Sequence, residues 1–228
     1  DYEIDTNPLL RARRDNGELV VFSDAVTSKD HTHGVMHSIY SPGVRGDNFF
    51  NLPILPMIMH KAGFRTSLLD NQYILNQGGG ITFLTSDKLS EKVFDYRNTH
   101  AYRYDGEMID QLALSDSQSD FAILHLIGQH YLYEERYPQD DHSLDIEYFP
   151  LSTHKGNETI NHYDNSCLYT DHIINHLMDR LKDDNVCIVY ISDHGEDLGD
   201  QNGYYGHGNA AFLPDLKYQI RVPMFVWG

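Results

Sequence analysis

The stretch Ile188-Val189-Tyr190-Ile191-Ser192-Asp193-His194-Gly195-Glu196 decides how this chain is read. Its apolar run, led in by Val186-Cys187, has the unbroken character of a strand covered on both faces, as strands of parallel sheets are. The run ends on an Asp and a His side by side, before a Gly that permits a tight turn. Open α/β sheets place their ligands at the carboxyl ends of parallel strands. A carboxylate beside an imidazole makes a good zinc pair, although such a pair taken alone is more often structural.

Further apolar runs fit the same sheet. They are Leu19–Phe22, Arg65–Leu69, Phe121–Leu126 and Val222–Val226, where Pro223 predicts either an edge position or a late start. Helical patterns lie between them, over residues 51 to 62, 106 to 114 and 164 to 183. In the last, Leu168, His172, Ile173, Ile174, Leu177, Met178 and Leu181 recur at helical spacing. Asp171, Asp179, Arg180 and Lys182 are expected to face outward, with Asp164 or Asn165 as the cap. Strands alternating with helices predict an α/β fold, a three-layer α/β/α sandwich with a mostly parallel central sheet. Residues 86 to 104 and 139 to 162 read as long surface excursions. The glycosylation-type triplet Asn157-Glu158-Thr159 carries no weight by itself.

Composition narrows the function. With 17 Lys and Arg against 34 Asp and Glu, the formal charge is 17 − 34 = −17, which excludes a nucleic-acid-binding surface. An acidic protein can still handle phosphates where metal ions supply local positive charge. No run approaches the roughly 18 apolar residues that span a bilayer, and the acidic opening Asp1–Asp5 is unlike a signal peptide. The chain is therefore expected to be soluble as given, which is compatible with a longer, membrane-anchored parent. Cys167 and Cys187 are too few for a disulfide scaffold or a Cys₄ zinc site and are expected to be small buried residues.

Two histidines add to the Asp193-His194 pair. The strand at Phe121 runs into Gly128-Gln129-His130, and Gly206-His207-Gly208 follows thirteen residues after His194. Histidines next to glycines at strand ends look like one converging site, whereas His125, inside its strand, reads as a satisfied interior residue. A nucleophile is expected from Thr27-Ser28-Lys29-Asp30-His31-Thr32-His33, where a helix starts near residue 31 or 32. A hydroxyl there sits among free N–H groups that also bind phosphate oxygens, and zinc would make its alkoxide accessible near neutral pH. On composition alone, Thr32 or Ser28 acting as a helix cap is the simpler reading.

In order along the chain, the motifs include Thr6-Asn7-Pro8-Leu9, the Thr32 segment, Leu124–His130, Arg136-Tyr137-Pro138, Tyr169-Thr170-Asp171, Ser192–Gly199, Asn202–Gly208 and Val222-Pro223. This set resembles the phosphoethanolamine transferases of the alkaline phosphatase/sulfatase superfamily over nearly the whole chain. Ser-Asp-His-Gly-Glu followed by Tyr-x-x-His-Gly is its most diagnostic part. The resemblance implies that Thr32 is the nucleophile and a ligand of a first zinc, together with Asp193 and His194. It implies that His130 and His207 bind the substrate phosphate or a second, weaker zinc, and that Asn71 and Glu196 contact substrate. One or two zinc ions are expected, with manganese or magnesium as the other candidates. The implied donor is phosphatidylethanolamine, the acceptor lipid A or another glycan, and the place the periplasmic face of the inner membrane. Residues 1–228 are expected to form a single, monomeric catalytic domain.

Two departures qualify the resemblance. The family's first zinc ligand is a glutamate on a strand before the Thr-Asn-Pro segment. That strand and the membrane domain are absent from this chain, so weak zinc binding and little activity are expected. Around the nucleophile, Lys29-Asp30-His31 replaces small residues, and an ungapped comparison sets His31 opposite the threonine of some members; the chemistry favours Thr32. Rival readings are a phosphatase or phosphodiesterase on the same scaffold, and a sulfatase, for which neither cysteine has the Cys/Ser-x-Pro-x-Arg context. A glycan- or lipid-binding domain without catalysis is the alternative of another class.

Overall fold

Leu68 and Leu69, neighbours on one strand and each 1% exposed, bury against two different hydrophobic clusters. Successive strand residues point to opposite faces, so this strand is covered on both sides. The computed structural model describes residues 4–41, 53–72, 93–140, 145–154, 157–199, 203, 205–208 and 213–228, the side chains of 213–215 excepted. Its elements run α1 (Pro8–Asp15), β1 (Leu19–Val21), α2 (Thr32–Tyr40), α3 (Leu55–Lys61), β2 (Arg65–Asp70), β3 (Tyr96–Arg97), α4 (Asp105–Ile109) and β4 (Asp120–His125). A 3₁₀ turn (Tyr133–Glu135), α5 (Glu158–Leu181), β5 (Ile188–Ile191), β6 (Asp197–Leu198), β7 (Tyr205–Gly206), α6 (Leu213–Ile220) and β8 (Met224–Trp227) follow.

Strands β3, β2 and β4 pair in that order, both pairs parallel. Strands β1, β8 and β5 form a second set in which β8 runs antiparallel to both neighbours. Helix α5 ties the two sets together. Its Leu168, Ile173, Leu177 and Met178 share one buried cluster with Leu69 of β2, Leu19 of β1 and Phe225 of β8. On the other side of β2, Met36 of α2 and Ile54 pack against Leu68 and Ile123. The α/β class read from the sequence holds, and all five strands anticipated are present.

Several local expectations are corrected. Helix α5 starts at Glu158, six residues before the expected start, because Asn157 is its cap and accepts the Ile160 amide at 3.3 Å. Asp164 and Asn165 lie inside the helix and tether the segment before it. Asp164 pairs with His154 at 2.6 Å, and Asn165 Oδ1 accepts the Phe149 amide at 2.8 Å. Asp171, expected to face outward, is fully buried and accepts the Leu9 and Leu10 amides at 2.9 Å each. The first amides of α1 have no partner within their own helix, and a carboxylate on α5 supplies it from 161 residues away. Burial pushes Asp171 up to about 6, against the pull of those two amides. Helix α4 ends at Ile109, short of the expected 114, and α3 begins at Leu55, the first part of its expected span lying outside the described residues. Pro223 delays β8 to Met224 but does not place it at an edge, since β8 is the middle strand of its set. Cys187 is exposed and Cys167 only half-buried. His125 is the satisfied interior histidine expected, 2.8 Å from Asp70.

Removing the Asp171 carboxylate leaves the half-buried Leu9 and Leu10 amides without that acceptor. Asp171→Ala is expected to cost about 2 kcal/mol and to raise hydrogen exchange at Leu9 and Leu10. Denaturant unfolding and amide exchange check both; unchanged protection would show that α1 is held by other contacts.

Candidate active site

Strand β5 ends at Ile191, and Ser192 turns the chain by donating its amide to Pro223 O (3.2 Å) and its hydroxyl to His194 O (2.8 Å). Asp193 and His194 therefore leave the strand together. His194 Nδ1 lies 2.9 Å from the Gly195 carbonyl, so this nitrogen carries the proton and Nε2 keeps its lone pair. That lone pair faces Thr32 Oγ1 at 3.4 Å and Asp193 Oδ2 at 3.5 Å.

Thr32 is the first residue of α2, as the sequence suggested, but it does not cap the helix. His31 stands at the cap position with extended backbone and no capping side-chain bond, and Ser28 bonds to Ser38 at 2.9 Å. The Thr32 hydroxyl is thus turned to the histidine instead of its own helix, with the first amides of α2 beside it.

A second group overlaps the first. Strands β6 and β7 pair with Asp197 opposite Gly206 and Leu198 opposite Tyr205. Extending that register by one residue sets Glu196 opposite His207, and their side chains meet with Oε2 2.8 Å from Nδ1. This bond is the main cause holding His207 above the usual histidine value, against the opposing effect of burial. The rings of His207 and His194 lie 3.9 Å apart, and His194, Glu196 and His207 each offer a donor atom within 4.8 Å of the others.

The two loops are locked by one buried residue of α6. Gln219, 1% exposed, accepts the Gly195 amide on its backbone oxygen (2.7 Å) and the Gly208 amide on its side-chain oxygen (3.1 Å). Gly195 is needed for this approach, because a Cβ there would lie deep inside the Tyr218 carbonyl oxygen and 3.2 Å from that of Arg221.

Of the other expected site residues, His130 borders the group, and its histidine is pushed down, chiefly by burial. It reaches its place through Gly128, whose positive φ of 54° turns the chain after β4. Fully buried Asp105 fixes that turn by accepting the amides of Ile127 (3.0 Å) and Gly128 (2.9 Å). Asn71 sits one layer in, its amide donating to Asp105 at 2.8 Å and accepting from Tyr102 N at 2.7 Å. The sequence reading did not find Asp105, Gln219 or Tyr133, whose hydroxyl bonds Glu196 at 3.0 Å. All three act through partners distant in sequence, and only the Arg136-Tyr137-Pro138 motif beside Tyr133 pointed near one of them.

The donor set suits a small tetrahedral cation. Zinc bonds of 2.0–2.2 Å set neighbouring ligands roughly 3.3–3.6 Å apart, and the separations of 3.4 and 3.5 Å around His194 Nε2 fall in that range.

An α/β scaffold that gathers histidines, carboxylates and a helix-terminal hydroxyl at strand ends could hold a cation beside a phosphoryl or sulfuryl group. The chain belongs to the sulfatase family, whose model matches residues 1–228. It is 28% identical over 239 residues to phosphoethanolamine transferase EptC of Escherichia coli O18:K1:H7, which covers 99% of this chain and 41% of that protein. Over 122 residues it is 34% identical to the Kdo(2)-lipid A phosphoethanolamine 7''-transferase of Salmonella typhimurium, 53% of this chain and 21% of the relative. The C-terminal periplasmic domain of EcEptC from Escherichia coli, solved in complex with Zn, superposes with a TM-score of 0.77 at 24% identity, covering 99% of this chain and 67% of that one. The resemblance to phosphoethanolamine transferases holds, and the fold is also similar to that of a protein in the alkaline phosphatase superfamily from Vibrio parahaemolyticus, with a TM-score of 0.64 at 14% identity over 98% of this chain and 54% of that one. The chain spans about two fifths of the length of its EptC relative.

Gly195→Ala is expected to destabilise the protein by about 1–3 kcal/mol and to displace His194. Thermal unfolding and zinc titration check this; full zinc affinity in a folded variant would contradict it.

Proposed function

We propose that the chain is the catalytic core of a zinc-dependent phosphoethanolamine transferase, and that its full-length form also carries the upstream metal-ligand strand and a membrane domain. The observation that carries this reading is the approach of Thr32 Oγ1 to His194 Nε2 at 3.4 Å, with Asp193 Oδ2 at 3.5 Å from the same nitrogen. Thr32, Asp193 and His194 would hold one zinc ion, and His207 and His130 a second ion or the substrate phosphate. Bound there, zinc lowers the pKa of a hydroxyl and offsets charge on phosphoryl oxygens.

The residues themselves divide the work. Thr32 Oγ attacks the phosphorus of phosphatidylethanolamine, forming a new O–P bond while the bond to the diacylglycerol oxygen breaks. As it attacks, the Thr32 hydroxyl gives up its proton to solvent, because His194 Nε2, 3.4 Å from Thr32 Oγ1, would be occupied by the ion. Diacylglycerol leaves with a proton, and phosphoethanolamine stays on Thr32 as a phosphodiester. His207, with its proton held by Glu196, and the amides at the start of α2 provide hydrogen bonds to the phosphoryl oxygens. A hydroxyl of lipid A or another glycan then attacks the same phosphorus and restores Thr32. The relatives' names support phosphoethanolamine as the group transferred and, in one of them, Kdo(2)-lipid A as the acceptor, and a periplasmic domain 26% identical in sequence supports a periplasmic location. Among the described residues, no helix is long and apolar enough to cross a membrane.

Intact-mass spectrometry after mixing zinc and phosphatidylethanolamine with the chain and with its full-length form tests the proposal. A phosphoethanolamine adduct is expected, strongest in the full-length protein and absent from Thr32→Ala. No adduct in a folded, zinc-loaded protein would overturn the donor or the covalent step. Release of free phosphoethanolamine without an acceptor would point to the hydrolase reading.

A further inference from the structure

The geometry points to Tyr133 as a positioning residue: its hydroxyl holds the Glu196 carboxylate so that His207 is fixed with its proton on Nδ1 and Nε2 unprotonated. Glu196 lies between two donors. Tyr133 donates to Oε1 at 3.0 Å, and His207 Nδ1 lies 2.8 Å from Oε2. With both oxygens engaged, the carboxylate cannot rotate without losing one bond, and a neutral imidazole facing a carboxylate oxygen must present N–H. Glu196 then serves the site by orienting a histidine, as carboxylates behind metal-bound histidines do.

Tyr133 is built to be immobile. It is 2% exposed, and its ring meets Tyr163 edge-on at 5.2 Å and Tyr131 at 6.2 Å. The residue before it, Leu132, adopts φ 70° and ψ 54°, a left-handed conformation that a branched side chain rarely takes. That turn sends Tyr133 inward while Leu132 itself remains exposed. Strain of this kind persists only where surrounding contacts impose it, and it gathers at functional sites. Arg136 imposes it here, donating to His130 O and Tyr131 O at 3.1 Å each. The same loop therefore delivers both His130 and the hydroxyl that orients Glu196. Burial and the neighbouring carboxylate push the Tyr133 phenol far above its ordinary value, so it remains a donor at any working pH.

The significance of this chain rests on the metal or phosphate role proposed for His207, but its test requires no lipid turnover. Nitrogen-15 NMR of the histidines in metal-free protein, at a pH about two units above the ordinary imidazole value, reads the tautomer of His207. In the wild type, Nδ1 is expected to be protonated and Nε2 bare. Tyr133→Phe keeps the ring contacts and removes only the donor. It is expected to give His207 a mixture of tautomers and to weaken zinc binding, measured by chelator competition, about tenfold, with thermal stability little changed. A wild-type His207 protonated on Nε2 would overturn the inference, as would a folded Tyr133→Phe with unchanged tautomer and zinc affinity. Should that variant fail to fold, the wild type decides. A Tyr133 hydroxyl proton slow to exchange with solvent supports the bond, and rapid exchange overturns it.

Discussion

Like groups must be held together at this site without a covalent link. Thr32, Asp193, His194, Glu196 and His207 are gathered within a few ångströms, in a protein of formal charge −17. Two carboxylates near two histidines favour bound positive charge, and lone pairs pointed at one another are costly unless a proton or a cation lies between them. The scaffold answers by attaching each donor to a different rigid element. Thr32 comes from the start of α2, His194 from the end of β5, and Glu196 and His207 from opposite sides of the β6–β7 hairpin.

Rigidity is supplied one layer further out, mostly by groups that never meet a ligand. Gln219 ties the His194 loop to its backbone oxygen and the His207 loop to its side chain, and Asp105 ties the turn before His130 to α4 and to Asn71. Asp171 does the same for α1, and Asp164 and Asn165 for the segment ahead of α5. Buried carboxylates and amides are expensive unless bonded, so these clamps depend on geometry, although Asp164 Oδ1 has no hydrogen-bond partner among the described residues. Helix α5 carries three of them and also packs both sets of strands, which makes it the mechanical reference of the molecule.

The sequence revealed what is local. The apolar runs marked β2, β4 and β5, and the order of Ser-Asp-His-Gly-Glu and Tyr-x-x-His-Gly pointed to the site, because strand ends and glycine turns are short-range features. What stayed hidden depends on partners far away in the chain. Asp171 looks like an outward helix position until the amides of Leu9 and Leu10 are seen against it. Asn157 reads as a glycosylation triplet and proves to be a helix cap. Pro223 does not exclude a central strand, since β8 begins one residue later. Glu196 was placed in the pocket, but its pairing with His207 follows from a hairpin register that residue types alone do not specify.

The central claim is that Thr32, Asp193 and His194 converge on one cation. Anomalous diffraction at the zinc absorption edge, from crystals equilibrated with zinc, tests it most directly. A peak is expected about 2.0–2.2 Å from Thr32 Oγ1, an Asp193 carboxylate oxygen and His194 Nε2. A peak held by His194, Glu196 and His207 with Thr32 outside bonding distance, or no peak in this region, would contradict it.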